Sequence, residues 1–322
     1  MFIYSFKTSK ILVYTRFMNI LSFTEAVPSQ LLVFFPGKDY TESAETNDYH
    51  TKSGYFMKYL LLNYILEPTA WPMEPPAPGS VFHLALSFIL ISLALLLAWK
   101  LRHLGEPQAI RLLTGLGILL FCCELYKQLF IYYIENNGHY NWWYFPFQLC
   151  SLPMYLCLLL PFLTARKRAL LFTFMYQYNL LGALLVFAEP SGLMHPYWTL
   201  TLHGFFWHGI LVFIGFFILF SGRTSSGNDV FLKTTALFLS CCAIAAGINV
   251  LSRQVALPPW QDADMFYISP FYPNTQIVFH QIAERFGIST GNIAYLAAII
   301  AGAFLMKEIS DAVSKHCKKA SK

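Results

Sequence analysis

Two side chains in this sequence, the Cys150 thiol and the His208 imidazole, have the chemistry of a nucleophile and its base. In such a pair the thiol attacks an ester carbonyl and the imidazole moves the proton. An amide donor then stabilises the oxyanion. Both residues lie in long apolar runs, where a polar group is costly unless it pairs or works. Other polar groups recur in the same kind of setting. They are Gln148, two residues before the thiol, then Glu124, Lys127 and Gln128, then Gln177 and Asn179, His203, and Asn249. Each also has a plainer reading. Cys150 reads as a small buried hydrophobe, and His208 as a hydrogen-bonding residue between helices. Glu124 and Lys127, one turn apart, read as an internal ion pair. If Lys127 points at Cys150 instead, it favours the thiolate. Asn249, Gln148 and Asn179 serve equally as interhelical glue or as oxyanion donors. His203 lies five residues before His208, about 140° round a helix, so the two do not both face one small site. His208 is deeper and is the better partner; His203 is the runner-up. Cys157 has no polar neighbour in sequence and reads as core. The group that would orient the base stays open among Glu124, Glu189 and Asn249.

The elements that must position these residues follow from composition. The 322 residues are 56% hydrophobic and 12% charged. That is about half the charge of a soluble domain, too little to cover a globular surface. The chain is therefore expected to be all-α, a polytopic bundle of transmembrane helices. Seven apolar runs are predicted as spans, at 80–99, 112–134, 145–163, 169–187, 199–220, 232–251 and 288–306. Each is close to the ~20 residues that cross a bilayer. Positive charge alternates between the connections. Lys100, Arg102 and Arg111 follow the first run, and Arg166, Lys167 and Arg168 the third. The loops at 135–144 and 189–198 have no Lys or Arg. This predicts an outside amino terminus and a cytoplasmic carboxyl terminus. On that topology the polar residues above fall in the outer halves of their spans, around one shared cavity.

The remaining stretches divide as follows. Residues 1–57 read as a flexible extension, with Met57 a plausible start of its own. Residues 58–79 read as a proline-rich interfacial loop, since Pro68, Pro72, Pro75, Pro76 and Pro78 exclude a helix interior. The membrane domain is 80–307, and 308–322 is a basic cytoplasmic tail. The net charge of +5 includes no basic block of nucleic-acid type. The adjacent cysteines, Cys122-Cys123 and Cys241-Cys242, make neither a metal motif nor a disulfide framework. No cofactor or metal is expected. Membrane lipids are the expected partners, and the cell membrane the expected location.

The stretch Phe145-Pro146-Phe147-Gln148-Leu149-Cys150-Ser151, with the apolar run from Met154, resembles the first signature of the YwaF-type family of integral membrane proteins. His195-Pro196-Tyr197-Trp198 with Phe205-Phe206-Trp207-His208-Gly209 is similar to that family's second signature, an aromatic-flanked histidine near the start of a span. Ile248-Asn249 and the aromatic loop at 260–272 fit its last third more loosely. The resemblance covers about 80–306. It departs from the usual pattern in Phe147, where leucine is common, and in His203, a competing imidazole. Animal members of the family are lipid acyltransferases that use a cysteine of the first signature and a histidine of the second. The resemblance therefore implies Cys150 as the acyl-accepting nucleophile and His208 as its base, with transfer of a fatty acyl group between glycerophospholipids; hydrolysis of a lipid ester by the same pair is the expected alternative outcome. Gln148, His203, Glu124, Lys127 and Asn249 are the candidate supporting residues. The competing reading is a proton-coupled carrier or small-molecule-binding membrane protein, with Glu124, Lys127 and His208 on its path.

Overall fold

A computed structural model describes the backbone of residues 57–320 and the side chains as far as residue 313. The extension expected at 1–57 lies outside the described residues except for Met57. Among the described residues the secondary structure is helical, apart from an isolated antiparallel bridge between Pro72 and Tyr197. The helices are α1 (Val81–Leu101), α2 (Glu106–Phe130), α3 (Leu152–Leu159), α4 (Ala165–Phe174), α5 (Leu180–Ala188), α6 (Trp198–Phe220), α7 (Asn228–Val255), α8 (Ile277–Phe286) and α9 (Ile288–Ala320). A π turn, Met175–Asn179, joins α4 to α5 in one continuous rod. The basic stretch expected as a tail from 308 continues α9 as far as Ala320.

Among the described residues, six helices are long and apolar enough to cross a membrane, which makes this a multi-pass membrane protein. α1, with 21 residues, is about 30 Å long, the thickness of a hydrocarbon core. Large apolar side chains such as Phe88 and Ile293 face outward. The seventh run, expected at 145–163, is instead a shorter apolar helix, Leu149–Phe162. Proline is the reason. Pro153 and Pro161 lack backbone N–H groups, and 3₁₀ turns flank α3 at Leu149–Ser151 and Leu160–Phe162. The segment nevertheless joins opposite ends of α2. At one end Gln128 donates to the Tyr144 carbonyl. At the other, Arg168 binds the Leu163 carbonyl and pairs with Glu106 at 2.6 Å.

The Ala165–Ala188 rod and α6 are the most enclosed of the long helices, with 67% and 61% of their apolar windows buried, against 22–33% for the others. α6 packs most extensively on α1 and also against α5 and the π turn. Two contacts show how close the backbones come. A methyl group on Gly117 of α2 would stand 2.9 Å from Cys157 Cβ of α3, and one on Gly215 of α6 would stand 2.5 Å from Leu180 Cβ. In a bilayer, where lipid is as apolar as leucine, such close backbone packing is a main source of helix association.

The two ends of the bundle differ. At one, Arg168 pairs with Glu106 and Arg223 binds the Leu104 carbonyl. At the other, Trp142 N–H bonds the Trp260 carbonyl, and the proline-rich strand is pinned through Met73 and Pro196 and through Trp198 and Trp71. Replacing Gly215 with alanine forces the α5–α6 contact apart. We expect Gly215→Ala to cost about 1–3 kcal/mol, read as a lower unfolding midpoint in detergent micelles; an unchanged midpoint would show that the two helices separate freely.

Candidate functional site

The segment before α3 carries Cys150, and its backbone sets the site. Inside an apolar bundle every carbonyl needs a donor. Pro153 has no N–H, so the Leu149 carbonyl loses its helical partner four residues on. Asn179 of the π turn supplies one, Nδ2 to Leu149 O at 2.6 Å. Pro161 frees the Cys157 carbonyl in the same way, and Thr114 Oγ1 of α2 takes it at 3.3 Å. The Pro146 carbonyl accepts from Tyr155 Oη at 2.8 Å. The Cys150 carbonyl accepts from Trp207 Nε1 of α6 at 3.0 Å. Trp207 directly precedes His208, so this bond joins the two signature segments side by side.

His208 is buried, 5% exposed. Its Nδ1–H donates to the carbonyl of Gly204, one turn earlier, at 2.8 Å. That bond fixes the tautomer, because a carbonyl only accepts. Nε2 is then the bare, accepting nitrogen, and it is buried with no hydrogen-bond partner. A buried unsatisfied acceptor is uncommon and costly. His203 is placed differently. Its Nε2–H donates to the Cys123 carbonyl of α2 at 3.1 Å, and its ring stacks on Trp207 at 5.6 Å. Each ring thus keeps one accepting nitrogen, Nδ1 in His203 and Nε2 in His208, and the His208 nitrogen is the one buried without a partner.

Glu124 and Lys127 form an ion pair at 2.8 Å, and Gln128 Nε2 donates to the same carboxylate at 2.7 Å. Lys127 is the common charged neighbour of Cys150, His195, His203 and His208. Glu124 balances that charge directly. His195, in the connection before α6, is the one of these outside the membrane helices. Burial and then the Lys127 charge lower it to about 4, so its ring is neutral at physiological pH.

Gln148 and Asn249 both bond to the loop between α7 and α8. Gln148 Nε2 donates to the Asp264 carbonyl and its Oε1 accepts from Phe266 N–H, both at 2.7 Å. Asn249 does the same for one residue. Its Oδ1 accepts from Met265 N–H at 2.7 Å and its Nδ2 donates to Met265 O at 3.1 Å. Both amides are spent on clamping the loop between α7 and α8. Within that loop Phe266 and Tyr267 have φ of 58° and 57°. Two consecutive left-handed residues with bulky side chains are strained, and the two amide clamps hold them there. The reward is the placement of Tyr267, a residue sequence reading passed over. Burial raises its hydroxyl above the usual range. Trp207 was also overlooked. Its signal was the proline at 153, which announces that carbonyls nearby need outside donors.

Asp264 anchors the loop. It is 1% exposed, and it accepts from Ser269 N–H and Thr275 Oγ1, each at 3.1 Å. Burial lifts its carboxyl to about 6, against the two hydrogen bonds that favour the ionised form. The folded value lies above that of an unfolded aspartate, about 3.9. The loop is therefore stabilised with the proton on. That contribution is complete below about pH 4 and is lost as pH rises through about 6. We expect amide-exchange protection factors across 264–269 to fall from pH 4 to 6.5 in the native protein and to stay level in Asp264→Asn. A level profile in the native protein would remove Asp264 from that role.

None of the curated proteins and none of the solved structures matches the chain. The TMEM164 family model, a transmembrane family, matches residues 78–284, well over half of the 322. The matched stretch runs from the start of α1 through most of α8 and contains Glu124, Cys150, His208 and Asn249. The chain is a member of the TMEM164 family.

Proposed function

We propose that this protein is a lipid acyltransferase or lipid-ester hydrolase of the cell membrane, with Cys150 as nucleophile and His208 as base. The observation that carries the reading is His208 itself. Its Nδ1–H is anchored to Gly204, its Nε2 is buried and unpartnered, and its neighbour Trp207 grips the carbonyl of Cys150. The resemblance of the two signatures to YwaF-type proteins, whose animal members are lipid acyltransferases, supports it independently.

The chemistry runs in two steps. His208 Nε2 takes the Cys150 proton as the sulfur bonds to the carbonyl carbon of a phospholipid ester. The ester C–O bond breaks, and the imidazolium returns the proton to the departing lysolipid oxygen. The acyl group is left as a thioester on Cys150. In the second step an acceptor hydroxyl, on a lysolipid or on water, loses its proton to Nε2 and attacks the thioester. The thiol is released. Lys127 favours the thiolate stage, and Glu124 keeps the neighbouring charge balanced. Gln148 and Asn249 act at one remove, by holding the loop that places Tyr267.

We place the basic end of the bundle in the cytoplasm and the aromatic end outside, on the alternation of Lys and Arg between connections. In this arrangement Leu149–Phe162 is a seventh crossing, supported by the way it joins the two ends of α2. A carrier would need polar groups free to change partners along the bundle axis. Those at the π turn are mostly tied, Thr234 to Gln177 and Tyr178 to Thr235, both at 2.7 Å, with Gln177 Nε2 and Asn179 Oδ1 left buried without partners.

The test uses full-length protein in liposomes containing an isotopically labelled phospholipid and an unlabelled lysolipid. Acyl exchange is followed by mass spectrometry. Cys150→Ser and His208→Asn should each lose at least ~100-fold, with Cys150→Ser also losing a hydroxylamine-sensitive acyl adduct. Exchange that survives in Cys150→Ser refutes the reading, and solute uptake abolished by Glu124→Gln would favour the carrier.

A further inference from the structure

A groove of about 420 Å³ runs between α2 and α6 on the outside of the bundle, lined by Cys122, Cys123, Tyr126, Thr199, Leu202, His203 and Phe206. That volume lies within the range of small-molecule sites. Its composition is graded along the bundle. Toward the aromatic end it begins with Tyr126 and Thr199. The Tyr126 hydroxyl shares a 2.6 Å hydrogen bond with Thr69 Oγ1, and the Thr199 hydroxyl donates to the Thr69 carbonyl. Deeper, the walls are Cys122, Leu202 and Phe206, and Leu202 and Phe206 are 42% and 46% exposed. The floor is His203, bonded to Cys123 and stacked on Trp207, which donates to the Cys150 carbonyl. The groove is thus polar at its mouth, apolar along its length, and one stacked ring pair away from Cys150.

We propose that this groove binds one acyl chain of a glycerophospholipid, with the ester end at Tyr126 and Thr199 and the chain running down past Leu202 and Phe206. An amphipathic occupant fits the gradient: its glycerol end lies at the polar mouth, where the hydroxyls of Tyr126 and Thr199 are held on Thr69, and its hydrocarbon meets the apolar walls. A phospholipid rather than a free fatty acid fits the charge. Lys127, the residue after Tyr126, is already paired with Glu124 at 2.8 Å, so its charge is balanced there and the uncharged ester of a phospholipid fits better than the carboxylate of a free fatty acid. The exposed walls let a chain enter sideways from the bilayer, with no opening of the bundle. Leu202 and Phe206 then set which chains fit. The consequence for substrate choice rests on the acyl-transfer reading; the binding itself does not.

The experiment uses the full-length protein in nanodiscs of phosphatidylcholine containing a trace of phosphatidylcholine with a diazirine midway along one chain. After illumination, adducts are mapped by peptide mass spectrometry. Labelling should concentrate severalfold on 122–126 and 199–206 over the outward faces of α7 and α9, which meet the same bilayer. Leu202→Trp, which fills the groove from an exposed position, should bring the groove down to the level of those faces. Phe206→Ala, which widens it, should keep the labelling and shift it toward bulkier chains. Even labelling over all lipid-facing helices overturns the proposal, as does labelling unaffected by Leu202→Trp. Preferential labelling by a free diazirine fatty acid overturns the phospholipid assignment. Groove labelling with undiminished acyl exchange in Cys150→Ser would support the groove and refute the Cys150 chemistry, so the two failures are separable.

Discussion

The structure depends on one constraint: a carbonyl released inside an apolar bundle has to find a donor there. Proline releases them at 149 and 157, and the 3₁₀ turn before α3 interrupts the regular ladder further. The donors come from different elements: Asn179 from the π turn, Trp207 from α6, Thr114 from α2 and Tyr155 from α3 itself. Each bond is modest alone, about 1 kcal/mol net in typical proteins. Together they gather the helices around the segment that holds Cys150. A regular transmembrane helix would satisfy its own backbone and require no such gathering.

The second shaping element is the loop between α7 and α8. It spends two amides, Gln148 and Asn249, on the backbone of three consecutive residues, Asp264, Met265 and Phe266. This is a large investment of buried polar groups in a chain with few of them. It holds two left-handed residues that relaxed backbone disfavours. Clamped loops of this kind pre-organise what they present, and this one carries Tyr267 with its ring edge-on to Tyr295 of α9. The rigidity of the site therefore comes from its supports, while the thiol sits on a 3₁₀ turn and the imidazole on a regular α-helical turn.

Much of the architecture was legible from composition and hydropathy. Six of the seven expected runs coincide with long apolar helices, whose ends lie up to seven residues beyond the expected bounds, because hydrophobic length is a signal carried by every residue in the run. The third run was harder. Its apolar composition predicted a span, but Pro153 and Pro161 shorten the helix to Leu149–Phe162. The ion pair between Glu124 and Lys127 was readable from spacing, since residues three apart share a helix face. The partners of Gln148 and Asn249 were not readable. Gln148 binds residues 116 and 118 positions away. Nothing local in the sequence distinguishes an amide that clamps a loop from one that faces a substrate. His208 was distinguishable from His203 only through geometry, since which ring nitrogen is spent depends on neighbours contributed by α2 and by the preceding turn.

The proline break also bears on the order in which the chain can mature during synthesis. The donors that complete the short helix are encoded well after it: Asn179 lies 30 residues beyond Leu149, and Trp207 lies 57 beyond Cys150. When Leu149–Phe162 leaves the ribosome, Thr114 is already made and can take the Cys157 carbonyl, while the donors to Leu149 and Cys150 are still to come. It is too short to settle in lipid unaided, and α4, α5 and α6 must arrive before its backbone is closed. Insertion of this membrane domain is therefore a cooperative event across several helices, and the segment bearing the thiol is among the last to become rigid.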